Sequence, residues 1–571
     1  MKQLLLGDFA VARGAWEAGA TVATAYPGTP STEITEEIAK YDEVYAEWSP
    51  NEKVALEVGI GASVRGARTI VSMKHVGLNV AADPLYTVAY TGVNAGLVIA
   101  VADDPGMHSS QNEQDTRLIA RAANVPVFEP SDSQESKDFT ARAFAFSEKF
   151  DTPVILRMTT RVAHSQSVVE LGTRENRPNA PYEKNREKYV MMPANARRRH
   201  VVVEKRFEDM AAYVETMPEN RIEKGNGKLG VICAGGVYQY VKEALPDADV
   251  LKLGCVYPLP MNMIRRFRES VEDCIVIEEL EPHIETLVKA AGIDVHGKEI
   301  FGIQGEYSAN FIREKMQGAS FRKPTADLPA RPPVLCAGCP HRGLFYVLGK
   351  LKVTVCGDIG CYTLGAVAPL GAIDSVVCMG ASIGMACGME KADAEAYKNT
   401  VAVIGDSTFI HSGITGLIDA VYNKSKCTVI IADNRTTGMT GHQQHPATGK
   451  TIKLEDTYAL NIEEVCRAVG VKNIVVVDPN DVASTEKAIR EELARPEVSV
   501  IITRRPCVLL TKKNYKGFVI TDKCKKCGMC MKLGCPAIRK ENGVLTIDTS
   551  LCTECGLCQN VCKFGAIEGR E

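Results

Sequence analysis

Tryptophan is almost missing from this 571-residue chain, with two residues, and aromatic residues together make up only 6%. Such scarcity argues against a stacking platform for single-stranded nucleic acid. Charge of one sign is lacking too. Sixty-seven Lys and Arg face 70 Asp and Glu, a formal charge of −3, so no global field draws the chain to nucleic acid or an anionic membrane. Long hydrophobic runs are absent. The longest, roughly residues 87 to 102, is broken by Thr, Tyr, Gly and Asn and closes on Asp103 and Asp104. That falls short of the ~20 apolar residues that span a bilayer. The start, Met1 to Asp8, has too short an apolar run for a secretion signal. A cytoplasmic location is therefore expected, and a reducing compartment leaves twenty cysteines to be explained by something other than disulfides.

What is present reads as a multidomain α/β protein. Short apolar runs at residues 69–73, 97–101 and 153–156 have the character of buried parallel strands, separated by amphipathic segments of helical length. A first block over 1–170 gives way at 171–228 to a polar, irregular stretch containing Arg197-Arg198-Arg199-His200, read as a solvated connector. A second α/β block covers 229–328 and a third 329–508. Residues 509–515, with Lys512 and Lys513, read as a linker into a small terminal module over 509–571.

Eight cysteines crowd into that module. Cys524, Cys527 and Cys530 at x2 spacing are followed by Cys535-Pro536, and Cys552, Cys555 and Cys558 are followed by Cys562. Three thiolates on one tight loop hold three corners of an iron–sulfur cube, with the fourth ligand crossing from the other run. On that logic Cys524, Cys527, Cys530 and Cys562 hold one [4Fe–4S] cluster, and Cys552, Cys555, Cys558 and Cys535 the other. Structural zinc is the competing reading. The pattern resembles bacterial two-cluster ferredoxin domains, with one extra residue before Cys535 and no proline after Cys562.

A second signal lies in the third block. A strand over 401–404 delivers Gly405-Asp406-Ser407, and a strand over 428–432 delivers Asp433-Asn434 to the same carboxyl edge, where open α/β sheets bind ligands. Oxygen ligands from adjacent strand ends suit Mg²⁺. A turn closing an ordinary strand is the plain alternative. The spacing resembles the thiamine diphosphate signature, with Ser407 in place of its last glycine. The likeness implies Mg²⁺ bound by Asp406, the Asn434 side chain and the Thr436 carbonyl.

Thiamine enzymes also need a carboxylate against the aminopyrimidine, best kept in an apolar setting. Glu52, opening a helix rich in small residues, is the candidate; Glu57, one turn on, serves as the internal control. Thr29-Pro30 reads as a helix start with Thr29 at the cap. Together with Tyr26 to Ser31, Cys336-x2-Cys339-Pro340-His341-Arg342 and Asp358 to Cys361, these segments resemble the 2-oxoacid:ferredoxin oxidoreductase family. Lys74 to Asn79 and Asp433 to Gln443 point within it to the alpha subunits of the indolepyruvate branch. Blind to that likeness, Cys336 and Cys339 are a metal pair with no second pair in view.

The resemblance implies a pyrimidine-binding thiamine domain at 1–170, a transketolase C-terminal-like domain at 229–328 and a diphosphate- and Mg²⁺-binding domain at 329–508. It places Cys339 and His341 near the cofactor and Thr29 near the substrate. His75, His442 and His445 become candidate proton donors or substrate contacts, each with a structural role as the alternative. The implied reaction is oxidative decarboxylation of arylpyruvates, indolepyruvate foremost, with coenzyme A taking the acyl group and external ferredoxin taking electrons singly. It implies a separate beta subunit in an α2β2 assembly. A non-oxidative thiamine-dependent decarboxylase, an oxidoreductase for another 2-oxo acid and an inert-bodied electron carrier are the alternatives.

Overall fold

The computed structural model describes residues 1–318, 332–511 and 515–570. Two compact units divide the chain at Asp327/Leu328. The expected boundary near 328 and residues 512–514 of the expected linker lie outside the described residues. Among the described residues, no helix is long and apolar enough to cross a membrane.

The first unit is built on a seven-stranded sheet. Its central strands, Val22–Ala25, Thr69–Lys74, Leu97–Asp103 and Val154–Thr159, pair in parallel, with Tyr45–Trp48 parallel at one edge. They read as continuous apolar runs because both faces are covered, which is the rule for parallel sheets. Cys255–Tyr257 supplies the other edge, antiparallel to Val127–Phe128. A second sheet, Asp273–Ile277, Leu229–Ala234, Asp249–Leu253 and Arg221–Glu223, shares one core with the first: Val71, Leu97 and Ile155 cluster with Ile232, Leu251 and Val276.

The stretch read as polar and irregular contains a 22-residue helix, Pro193–Val214, entered through Pro193. Arg197, Arg198 and His200 of the run are exposed, as read, but two other arginines of the helix are spent on the body. Arg199 donates to the Tyr90 carbonyl (2.7 Å) and to Asp151 (3.0 Å), and buried Arg206 donates to the Ala89 and Asp151 carbonyls. Val203, Met210 and Val214 fill the apolar face.

The second unit centres on a five-stranded parallel sheet in the order Thr354–Cys356, Thr400–Gly405, Thr428–Asp433, Ser499–Arg504, Asn473–Val477. The cysteine-rich module packs on the same unit. Its core, with Leu533, Ile538, Leu557 and Val561, meets Tyr346 and Val482.

Candidate functional site

In the first unit the expected residues gather at the carboxyl edge of the parallel strands. Tyr45–Trp48 leads into the helix Glu52–Val64, whose cap Asn51 accepts from the Val54 amide at 2.9 Å. Glu52 is thereby the first helical residue, where the helix dipole favours a carboxylate. It is 4% exposed. Gly77 lies directly on it: a Cβ there would fall 2.6 Å from Glu52 Oε1. Glu57 points to solvent and pairs with Lys53.

The helix expected to be capped by Thr29 begins instead at Thr32, with Ser31 at the cap. The reason is local. Ser31 closes a turn by donating its amide to the Gly28 carbonyl at 2.9 Å, so Thr29 and Pro30 lie within that turn and not at the helix start. Thr29 is half-buried, and its carbonyl accepts from Ser109 Oγ at 3.3 Å. His75 is buried, and burial holds its pKa below the usual histidine range. Beside it, Lys74 donates to the Ser109 carbonyl at 2.8 Å, and burial pulls its pKa down to about 8 against the opposing pull of Asp104.

In the second unit, adjacent strands end in Asp406 and Asn434. Gly405 must be small, since a Cβ would stand 2.5 Å from the Tyr362 ring. Asp406 is buried; its two oxygens accept from the Ser407 amide (2.9 Å) and the Arg435 amide (2.8 Å). Burial pushes this carboxyl up, but His445, with Nε2 3.3 Å from Oδ2, and the amides of Ser407 and Arg435 together hold the pKa below the usual range. His445 Nδ1 accepts from the Ala447 amide at 3.4 Å, which turns Nε2 towards Asp406. Among the described residues, Asp406 has no Lys or Arg within ion-pair distance. A buried carboxylate so placed fits a cation, and the Asn434 side chain beside it adds an oxygen of the kind Mg²⁺ takes.

Ser407 accepts from Thr437 Oγ1 at 3.0 Å, so the residue replacing the signature glycine braces the following loop. Thr436 is buried on that loop, and His442 is half-exposed at its turn with φ 70°. His341, buried against Tyr362, is held down to about 4 by burial and sits 3.4 Å from Asn434 Nδ2. It is neutral at pH 7. Asp358 accepts from the amides of Gly380 (2.8 Å) and Ser382 (3.0 Å) and so fixes the turn that opens the helix Ala381–Ala392.

The cysteines of the module fall into two groups. Cys524, Cys527, Cys530 and Cys562 line one cavity; Cys535, Cys552, Cys555 and Cys558 line another. Burial and the neighbouring thiols push Cys558 up to about 12, so a thiolate there would need a bound cation to form. Backbone amides aim at the sulfurs: Lys526 to Cys524, Phe518 to Cys552 and Ala566 to Cys562, each at 3.4 Å. Both donor sets fit iron–sulfur cubes.

Sequence reasoning missed a third set. Cys336 and Cys339 lie within electrostatic reach of Cys361, and Cys336 within reach of Cys507. Cys507 donates its amide to the Asn434 carbonyl at 2.9 Å, which fixes this group against the Asp406 edge. Cys361 and Cys507 follow strands Thr354–Cys356 and Ser499–Arg504, so strand order was the signal that could have found them. Buried Arg342 then joins the pieces. It donates to the carbonyls of Leu335, Cys336 (3.0 Å), Leu533 (2.9 Å) and Gly534 (2.7 Å), tying the Cys336–Cys339 loop to the turn before Cys535.

Known proteins carry the same parts in the same order. Residues 13–224 match the pyruvate flavodoxin/ferredoxin oxidoreductase thiamine-diphosphate-binding family, 358–503 the C-terminal TPP-binding domain of thiamine pyrophosphate enzymes, and 545–568 the 4Fe-4S binding domain. Curated indolepyruvate oxidoreductase subunits IorA align nearly end to end. That of Archaeoglobus fulgidus is 41% identical over 99% of this chain and 97% of its own length. That of Methanothermobacter marburgensis is 42% identical, and that of Pyrococcus horikoshii 40%, at the same coverage.

Proposed function

The chain belongs to the indolepyruvate oxidoreductase subunit IorA family, and on that premise we propose that it catalyses the ferredoxin-dependent oxidative decarboxylation of indolepyruvate and related arylpyruvates. Coenzyme A accepts the acyl group. A separate beta subunit completes an α2β2 enzyme of the cytoplasm. The observation that carries this reading is the association, within one compact unit, of the Asp406–Asn434 edge with two cavities each lined by four thiols.

In this reading Asp406, Asn434 and the Thr436 carbonyl hold Mg²⁺ and, through it, the diphosphate of thiamine diphosphate. Cys524, Cys527, Cys530 and Cys562 hold one [4Fe–4S] cluster, Cys535, Cys552, Cys555 and Cys558 a second, and Cys336, Cys339, Cys361 and Cys507 a further one. Bound thiamine supplies a nucleophilic carbon and an electron sink for decarboxylation, and the clusters supply one-electron acceptors. Glu52 exchanges a proton with the aminopyrimidine, and its burial beside Gly77 keeps water from competing for that proton. His341, neutral at pH 7, accepts from the Asn434 amide and fixes the orientation of its side-chain oxygen. His445, with Nε2 3.3 Å from Asp406 Oδ2, joins the Ser407 and Arg435 amides in favouring the ionised carboxyl. Thr29, His75 and His442 are substrate-side candidates.

The test is an anaerobic assay of the holoenzyme with its partner subunit, using thiamine diphosphate, Mg²⁺, coenzyme A, a viologen and a panel of 2-oxo acids. Dye reduction that requires coenzyme A and favours arylpyruvates is expected. Aldehyde release without dye reduction marks a non-oxidative decarboxylase, and preference for another 2-oxo acid moves the substrate assignment.

A further inference from the structure

The two thiol-lined cavities of the module face different ways. The one lined by Cys535, Cys552, Cys555 and Cys558 is closed on one side by Ala337, Gly338 and Arg342, from the segment beside the Asp406 edge. Asn480 also donates to the Cys555 carbonyl at 2.9 Å. The cavity lined by Cys524, Cys527, Cys530 and Cys562 is walled by module residues alone. Cys527 is exposed there, and Phe564 is 45% exposed beside it. This group is the outer of the two.

The surface around it is basic in a chain that is otherwise balanced. Residues 515–570 carry nine Lys and Arg against five Asp and Glu. Lys525 lines the outer cavity with Cys527 and Phe564, and Lys526 is exposed between them in sequence. Lys532 and Lys563 line the adjoining cleft, which shares Met529 with that cavity. Among the described residues, none of these four lysines has a carboxylate within ion-pair distance, whereas Lys523 nearby is neutralised by Glu568 at 2.6 Å. Unpaired cations around an exposed apolar tip are the arrangement that steers and seats a partner of opposite charge.

We propose that Lys525, Lys526, Lys532 and Lys563, with exposed Phe564 and Cys527, form the docking surface for an acidic one-electron carrier protein. The inference rests on the proposed ferredoxin-dependent reaction and adds to it a place of exit and a charge requirement on the acceptor. Each docking event moves one electron outward and reduces the carrier by one, so two carriers are consumed per 2-oxo acid.

The experiment uses the iron-loaded holoenzyme with its partner subunit and compares it with K525E/K532E/K563E and with the remote surface variant K424E. The probe is a purified [2Fe–2S] ferredoxin of net negative charge, followed by calorimetric binding and by turnover, with methyl viologen as the small acceptor. In the triple variant, ferredoxin affinity and kcat/KM should fall at least 10-fold at low ionic strength, and the gap should close at about 0.5 M salt, the screening expected of a steering surface. Viologen turnover and iron content should not fall, and K424E should match the parent. Ferredoxin binding within twofold of the parent, or an equal loss in K424E, overturns the docking surface. A parent that binds ferredoxin but turns over no 2-oxo acid with either acceptor overturns the proposed reaction and leaves the surface standing.

Discussion

Replacing Gly77 by alanine sets two small effects against each other, and the structure says which wins. Gly77 lies within the helix His75–Val80, where alanine is ordinarily favoured by about 0.5–1 kcal/mol. Its new Cβ would stand 2.6 Å from Glu52 Oε1 and 2.6 Å from Cγ, where ordinary contact begins near 3.4 Å. Something must therefore move by about 0.8 Å, and overpacking of this kind costs about 1–3 kcal/mol. Glu52 is the side chain that gives way. A reacting carboxylate displaced by close to 1 Å loses on the order of 10²-fold in rate. Gly77→Ala should thus lower viologen-coupled kcat about 100-fold while shifting the thermal midpoint by only a few degrees. Gly61→Ala is the control: it lies on the Glu52 helix with nothing within 4 Å of its Cβ, so it should stabilise slightly and leave turnover alone. Full turnover in Gly77→Ala, or equal loss in both variants, refutes the assignment of Glu52.

Asp406→Asn removes the charge that faces the Mg²⁺ position while keeping an acceptor, so affinity for Mg²⁺–thiamine diphosphate should drop at least 10-fold by calorimetry. Cys361→Ser should lower iron by about four per chain in acid-extracted holoprotein; unchanged iron removes the third thiol group from the scheme. Lys74 titrates near 8 when folded and near its ordinary value when unfolded. Between the two, the unfolded chain binds a proton that the folded chain does not, so this group's contribution to stability rises with pH across that window, by up to about 3 kcal/mol. Urea midpoints measured from pH 7.5 to 10.5 should climb less in Lys74→Met than in the parent, and parallel curves would contradict the burial argument.

Much of this was legible in the chain itself, for physical reasons. Parallel strands buried on both faces read as apolar runs, so the strands carrying Asp406 and Asn434 stood out, and x2 spacing marked the module thiols. What stayed hidden depends on neighbours far away in sequence. Arg199 and Arg206 of the Pro193–Val214 helix look solvated until Asp151 and the Ala89 and Tyr90 carbonyls are placed beside them. Cys361 and Cys507 look isolated until strand order sets their ends along one edge. The Thr29 cap failed because one amide-to-carbonyl turn from Ser31 to Gly28 outweighed a local preference.

The stitching by Arg342, by Asn480 to Cys555 and by Asn560 to the Asn480 carbonyl at 2.6 Å also governs how the protein ages in air. With the proposed cluster held by Cys535, Cys552, Cys555 and Cys558, its corrosion would not shed a dispensable appendage. It would hollow out a wall shared with the proposed thiamine cradle, so exposure to oxygen should weaken the grip on thiamine diphosphate in step with bleaching.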